Sequence, residues 1–227
     1  MSDVIQNWYS KIPKKLVPKY HNPNFRQHGI KIPARVLVCA QSGGGKTNLM
    51  MEIIHRMSGT FELIILCVKT SQEPLYTWLK MKLDPEQLHI YENGIVPKLE
   101  DYKSFKGQIL IIFDDLVNEK KAQEPITEWF IRGRKLAGGT TMFYLTQSYF
   151  KTPKTIRVNC NIIMLKKLSS IRDLNMILGD YNLGVGKQQM LDLYHKAIRD
   201  NGFLFIDIDA PEDERFRKNF KEILDIN

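Results

Sequence analysis

The stretch Ala40-Gln41-Ser42-Gly43-Gly44-Gly45-Lys46-Thr47 has Walker A spacing, with alanine where that pattern opens on glycine. Glycines let successive backbone N–H groups turn inward around a phosphate, and a helix that follows adds its positive N-terminal end. In such a loop Lys46 reaches the β- and γ-phosphates of ATP and the Thr47 hydroxyl holds Mg²⁺. The nucleotide-binding segment is then Ser42, Gly43, Gly44, Gly45, Lys46, Thr47 and Asn48. A second constellation closes the apolar run Ile109-Leu-Ile-Ile-Phe with two carboxylates, Asp114 and Asp115. Ligands of open α/β sheets bind at the C-terminal edge of the strands, so a carboxylate there suits a cation site. Asp114 would orient Mg²⁺ through water, and Asp115 stands where a base prepares the attacking water. Aspartate is one methylene shorter than the glutamate usual at such a position, which makes Glu119 the alternative base. A plain turn or helix cap is the other use of such a pair. Gln147, at the end of a third apolar run, has a side chain suited to touch both γ-phosphate and water. Arg132, Arg134 and Arg157 are candidates for an arginine finger serving a neighbouring subunit's nucleotide. Arginines near a helix end also compensate the helix dipole, and spacing alone favours that plainer use.

These side chains need a scaffold, and the hydrophobic pattern supplies one. Strands are expected over 35–40, 61–68, 108–114, 140–146, 160–166 and 203–208. Most are continuous apolar runs, which suits parallel strands covered on both faces. Helices are expected over 46–57, 72–82, 123–137, 169–178 and 187–200. In the first, Leu49, Met50, Ile53, Ile54 and Met57 share one face. In the third, Ile126, Trp129, Phe130, Gly133, Leu136 and Ala137 form a buried stripe, with Arg132 and Arg134 on its opposite flanks. Alternating strands and helices predict an α/β fold with a mostly parallel central sheet flanked by helices. Gly184-Val-Gly-Lys187 lacks loop spacing and a preceding strand, and reads as a helix start. Three units follow: a basic extended arm over 1–34, an ATPase domain over 35–210, and a tail over 211–227. The tail reads as a short amphipathic helix through Phe216, Phe220 and Ile223.

The chain has 227 residues, 43% hydrophobic and 26% charged, so it has enough apolar side chains for one sizeable core. Its net charge is +8, and a polyanion partner is one consequence. The arm carries Lys11, Lys14, Lys15, Lys19, Arg26 and Lys31, and Arg35 follows it, with no acidic residue between Lys11 and Arg35. No apolar run has the length of a membrane span, and MSDVIQNWYSKIPKK lacks the apolar core of a signal peptide. Cys39, Cys67 and Cys160 each lie inside an apolar run, as buried thiols of a reducing compartment do.

The series SGGGKTN, IIFDDL, FIRGRKLAGGTTMFYLTQSYF and TIRVNCNIIML resembles the genome-packaging ATPases of large eukaryotic DNA viruses and virophages, in the FtsK/HerA superfamily. The resemblance extends to the arm (KYHNPNFRQHGIKIPARVLV) and to LYHKAIRDNGFLFIDID. That family commonly has histidine after the arginine of the third block; here Lys135 follows Arg134. The resemblance implies a RecA-like P-loop NTPase whose Gln147 strand lies between the strands bearing the phosphate loop and Asp114. It implies a homo-oligomeric ring that drives double-stranded DNA into a preformed capsid, with capsid or portal-vertex proteins as partners. It places the protein in the virion or virus factory of an infected cell, not among secreted proteins. By position, Lys46 and Thr47 bind nucleotide and Mg²⁺, Asp114 holds Mg²⁺, Asp115 prepares the water, Gln147 senses the γ-phosphate and Arg134 is the finger. No nuclease motif or large second domain is evident, as expected of a bare motor. Two alternatives use the same loop: a nucleoside or nucleotide kinase, and a nucleic-acid-binding scaffold that holds ATP without motor activity. Residues 169–200 lack the tight basic cluster of a kinase lid, and no base-reading NKxD stretch of a GTPase is found.

Overall fold

A computed structural model describes residues 5–226. Among the described residues nine strands form one sheet: β1 (Arg35–Cys39), β2 (Leu63–Val68), β3 (Leu88–Tyr91), β4 (Ile109–Asp114), β5 (Thr140–Thr146), β6 (Ile162–Leu165), β7 (Leu204–Asp207), β8 (Phe216–Lys218) and β9 (Glu222–Ile223). The helices are α1 (Phe25–His28), α2 (Lys46–Arg56), α3 (Pro74–Lys82), α4 (Lys120–Arg132), α5 (Lys154–Arg157), α6 (Ile171–Asp180) and α7 (Lys187–Ala197). The sheet runs in the order β3-β2-β4-β5-β1-β6-β7-β8-β9. Its first six strands are parallel and its last three antiparallel. The chain is thus an α/β protein with a large, mostly parallel sheet flanked by helices. The strand leading to Gln147 lies between the phosphate-loop strand and the Asp114 strand, as expected.

The continuous apolar runs follow from burial on both faces. Val36, Val38, Leu110, Ile112, Phe143 and Leu145 turn to the face where α2 supplies Leu49, Met50 and Ile53 and α3 supplies Tyr76. Leu37, Cys39, Ile111, Phe113, Met142 and Tyr144 turn to the other, under Trp129 and Phe130 of α4, Ile177 of α6 and Met190 of α7. All three cysteines are free and buried.

The tail departs from the helix expected there. It forms β8 and β9, and Phe216 packs on one face of the sheet while Phe220 packs on the other. A helix would leave the outer edge of β7 unpaired. Strand β8 takes up those backbone groups, and Leu224 N–H donates to the Phe216 carbonyl (2.9 Å) across the next turn. Ile223, expected in the apolar stripe, is exposed. Strand β3, a short edge strand, was not anticipated either. Residues 1–4 of the arm lie outside the described residues. Its outer part, including Ile5, Trp8, Tyr9 and Leu16, is exposed, while His28 and Ile30 are fully buried. The inner part is tied down by Gln108, which bonds both the N–H (2.6 Å) and the carbonyl (2.9 Å) of His21. Among the described residues no helix is long and apolar enough to cross a membrane.

Candidate nucleotide and cation site

Strand β1 delivers the loop to the C-terminal edge of the sheet. Ala40 N–H still bonds the Thr146 carbonyl of β5 (3.1 Å), and Gln41 N–H bonds Lys167 beyond β6 (2.8 Å). Both ends of the loop are therefore fixed. Gly44 N–H closes a turn on the Gln41 carbonyl (2.9 Å), and a Cβ at Gly44 would stand 2.8 Å from that same oxygen. Gly43 (φ 67°) and Gly45 (φ 81°) adopt left-handed backbone, open to glycine at little cost. Gly45 then leads directly into α2 at Lys46, so the loop ends on a helix N-terminus. Ser42, Gly43 and Asn48 are exposed; Gly44, Gly45, Lys46 and Thr47 are partly so.

Strand β4 brings Asp114 to the same edge, 9% exposed and held by a hydrogen bond from the Tyr76 hydroxyl to its Oδ2. Its other oxygen, Oδ1, is buried without a hydrogen-bond partner. Burial pushes the Asp114 carboxyl up to about 6, against the opposing pull of Tyr76 and the Lys46 ammonium. Burial, then the Asp114 charge, raises the Tyr76 phenol above its ordinary value. The Thr47 hydroxyl donates to Glu73 Oε2 (3.2 Å). Asp115, just past β4, has φ 56° and is exposed; its N–H bonds Leu145 (3.2 Å), and Gln147 Nε2 donates to its Oδ2 (2.9 Å). Lys46, Thr47, Asp114, Asp115 and Gln147 thus share one edge of the sheet.

An orphaned buried carboxylate oxygen at the same sheet edge as a threonine hydroxyl fits Mg²⁺. Among the described residues no group of three His, Cys, Asp or Glu could cage a metal. A cation here takes most of its shell from phosphate and water, as Mg²⁺ does. Sequence reasoning missed Glu73 and Tyr76. The one local signal was Glu73-Pro74, a proline opening a helix; nothing in the spacing says what that helix touches.

The arginines divide. Arg157 is buried, paired with Asp180, and donates from Nε to the Thr152 carbonyl (2.9 Å). It belongs to the core and is corrected as a finger candidate. Helix α4 ends at Arg132 and tightens into a 3-10 turn over Gly133–Lys135; Ile126, Trp129, Phe130 and Gly133 of the expected stripe are buried, while Arg132, Arg134 and Lys135 are all exposed. Arg132 is paired with Glu128 (2.6 Å). Arg134 lies in the electrostatic reach of Arg35, the first residue of β1. The phosphate loop follows the last residue of that strand, so Arg134 stands about 15 Å of strand away, at the opposite edge of the sheet. Glu119 caps α4 and pairs with Lys69 (3.5 Å). An apolar cavity of about 410 Å³, lined by Met51, Ile54, Trp78 and Leu83 among others, lies between the C-terminal halves of α2 and α3 and includes none of the candidate residues.

No protein-family model and no curated protein sequence matches the chain. Solved structures do. The genome packaging NTPase B204 of Sulfolobus turreted icosahedral virus 2, in complex with sulfate, superposes with a TM-score of 0.59 at 14% identity, over 86% of this chain and 99% of its own. B204 of Sulfolobus turreted icosahedral virus, a DNA-packaging ATPase, gives 0.59 at 13%, over 90% and 100%. The chain has the fold of these packaging ATPases. A cytoplasmic domain of the type VII secretion ATPase EccC from Thermomonospora curvata shares it, with a TM-score of 0.56 at 12% identity, over 83% of this chain and 25% of that one. B204 of the second virus has also been solved with ATP-gammaS, at a TM-score of 0.57. At these identities the likeness establishes the common α/β architecture and leaves the chemistry to be argued from this chain's own residues.

Proposed function

We propose that this chain is an ATP-hydrolysing motor subunit of a homo-oligomeric ring that moves double-stranded DNA into a preformed capsid. The observation that carries the reading is the hydrogen bond between Gln147 and Asp115 at the ends of neighbouring strands. It joins a water-activating carboxylate to an amide placed to read the γ-phosphate. When a γ-phosphate arrives, the Gln147 amide donates to it and releases Asp115 Oδ2 to take a proton from the attacking water. The Lys46 ammonium meets the β- and γ-phosphates, and the loop N–H groups other than that of Gly44, which bonds the Gln41 carbonyl, line the phosphate path. Thr47 and Asp114 would hold Mg²⁺ there. Bound there, the cation neutralises charge on the phosphate oxygens.

Arg134 supports a shared site. It sits a strand's length from its own phosphate loop and is exposed, so as a finger it would serve a loop presented by another subunit. By kinship of fold with B204, the polyanion for a chain of net charge +8 is duplex DNA. Capsid or portal-vertex proteins are the further partners, and the virion or virus factory is the place of action.

The test is stimulation of ATP hydrolysis by duplex DNA, measured beside nucleosides and nucleotides as acceptors. Duplex DNA of any sequence should stimulate. Its binding should weaken with salt at a log–log slope of about −5 if six phosphates are contacted. Asp115→Asn should retain ATP binding and lose stimulated turnover by about a hundred-fold or more, as removal of a general base does. Phosphoryl transfer to a nucleoside, with no response to DNA, would overturn the motor reading in favour of a kinase.

A further inference from the structure

Helix α3 belongs to no motif, yet its first turn enters the cation site twice. Glu73 stands at its N-cap position, and its Oε2 accepts a hydrogen bond from the Thr47 hydroxyl (3.2 Å). One turn on, Tyr76 donates its hydroxyl to Asp114 Oδ2. A core tyrosine needs only one acceptor, and a backbone carbonyl would serve. Here the acceptor is a carboxylate whose other oxygen is buried and left unpartnered. Each bond fixes one donor of the site. With its hydrogen bond directed to Glu73, Thr47 Oγ1 turns its lone pairs away from that carboxylate. With one lone pair of Oδ2 taken by Tyr76, the unpartnered Oδ1 is the more open oxygen of Asp114. Thr47 Oγ1 and Asp114 Oδ1 are thereby left as the oxygens turned toward a cation.

From this geometry we infer that Glu73 and Tyr76 are positioning residues of the cation site, orienting Thr47 and Asp114 so that Mg²⁺ meets preformed oxygen donors. The inference rests on the nucleotide-site reading proposed above. It assigns α3 a part in that site, as partners of metal ligands commonly have. Glu73 keeps its charge toward the cation while bonding through a neighbour. Tyr76 is almost wholly buried (2% exposed), so its hydroxyl cannot swing to water.

Binding of a fluorescent ATP analogue to the full chain, in EDTA and along a Mg²⁺ titration, tests this without turnover. Tyr76→Phe keeps the ring and removes the donor; Glu73→Gln keeps the shape and removes the charge. In both variants the metal-free affinity should stay within about two-fold of the parent chain. The half-saturating Mg²⁺ concentration should rise by about ten-fold or more, the usual loss when a partner of a metal ligand is removed. A merely structural role predicts something different: loss of metal-free affinity and melting temperature together, with the Mg²⁺ midpoint unmoved. That result overturns the inference, as does an unchanged midpoint in both variants. Should Tyr76→Phe fail to fold, Glu73→Gln at its partly exposed position decides alone by the same two readings. A parent chain that binds the analogue no better with Mg²⁺ than without it overturns the cation site itself, and the inference with it. A normal parent midpoint with unmoved variants overturns only the role of α3.

Discussion

Replacing Arg157 with alanine should unfold the protein more readily without touching its chemistry. Its guanidinium is 9% exposed and its partner carboxylate, Asp180, 13% exposed. The pair is extended by the Tyr149 hydroxyl, which donates to the same Asp180 oxygen (3.0 Å), and by the Tyr149 ring, whose centroid lies 4.9 Å from the guanidinium carbon. Removing the cation leaves a buried carboxylate with one neutral donor, and breaking a buried pair from one side costs about 3–5 kcal/mol. The Thr152 carbonyl also loses its partner. In a domain of this size each kcal/mol lowers Tm by about 2–4 °C, so a fall of about 6–20 °C is expected. Thermal unfolding by circular dichroism measures it. ATP hydrolysis per folded molecule, well below the lowered Tm, should be unchanged. Arg157→Met with Asp180→Leu removes both charges and should recover most of the loss. An Arg157→Ala protein with the parent's Tm and no hydrolysis would refute the reasoning and return Arg157 to the list of fingers.

Arg134→Ala should leave Tm within about 1 °C, as surface changes do, while abolishing hydrolysis. Mixed with inactive Lys46→Ala protein under conditions of subunit exchange, it should regain activity above either variant alone; confirmed exchange with no recovery, while Lys46→Ala diluted into the parent chain lowers activity only in proportion, removes Arg134 as a finger in trans. A separate prediction concerns acid. His28 is fully buried, its Nδ1 accepts the Ile30 N–H (3.0 Å), and burial, aided by the Arg56 charge, lowers it from 6.5 to about 4. The folded state favours the neutral ring, so this stability is complete above pH 6.5 and is lost as pH falls toward 4, by about 1.4 kcal/mol per unit inside that window. Urea unfolding along pH should show that slope, and His28→Asn, which keeps an acceptor for Ile30, should remove it; equal slopes in both proteins would exclude His28 as the cause.

Much of the site was legible because its rules are local. A run of glycines before a lysine is a statement about backbone freedom, and Gly44 has no room for a Cβ. Continuous apolar strands announced a sheet covered twice, since one solvated face would have forced alternation. Asp114, Asp115 and Gln147 could be placed at strand ends because period and length locate an edge. What lay beyond these rules depended on which segments meet across long separations. The Tyr76 hydroxyl and the Asp114 carboxylate are 38 residues apart in sequence, and Arg157 and Asp180 are 23. No period in either segment records the other. Phe216 and Phe220 share a spacing that suits a helix, but the unpaired edge of β7 decided for a strand at Phe216, and the turn after Lys218 carries Phe220 to the opposite face. Arg134 reads as one more charge near a helix end until the sheet places it at the edge away from its own phosphate loop. Chemistry-bearing residue types are chosen one position at a time and remain visible in the sequence. Their partners are chosen by hydrogen-bond satisfaction and burial over the whole chain, which only the packed sheet resolves.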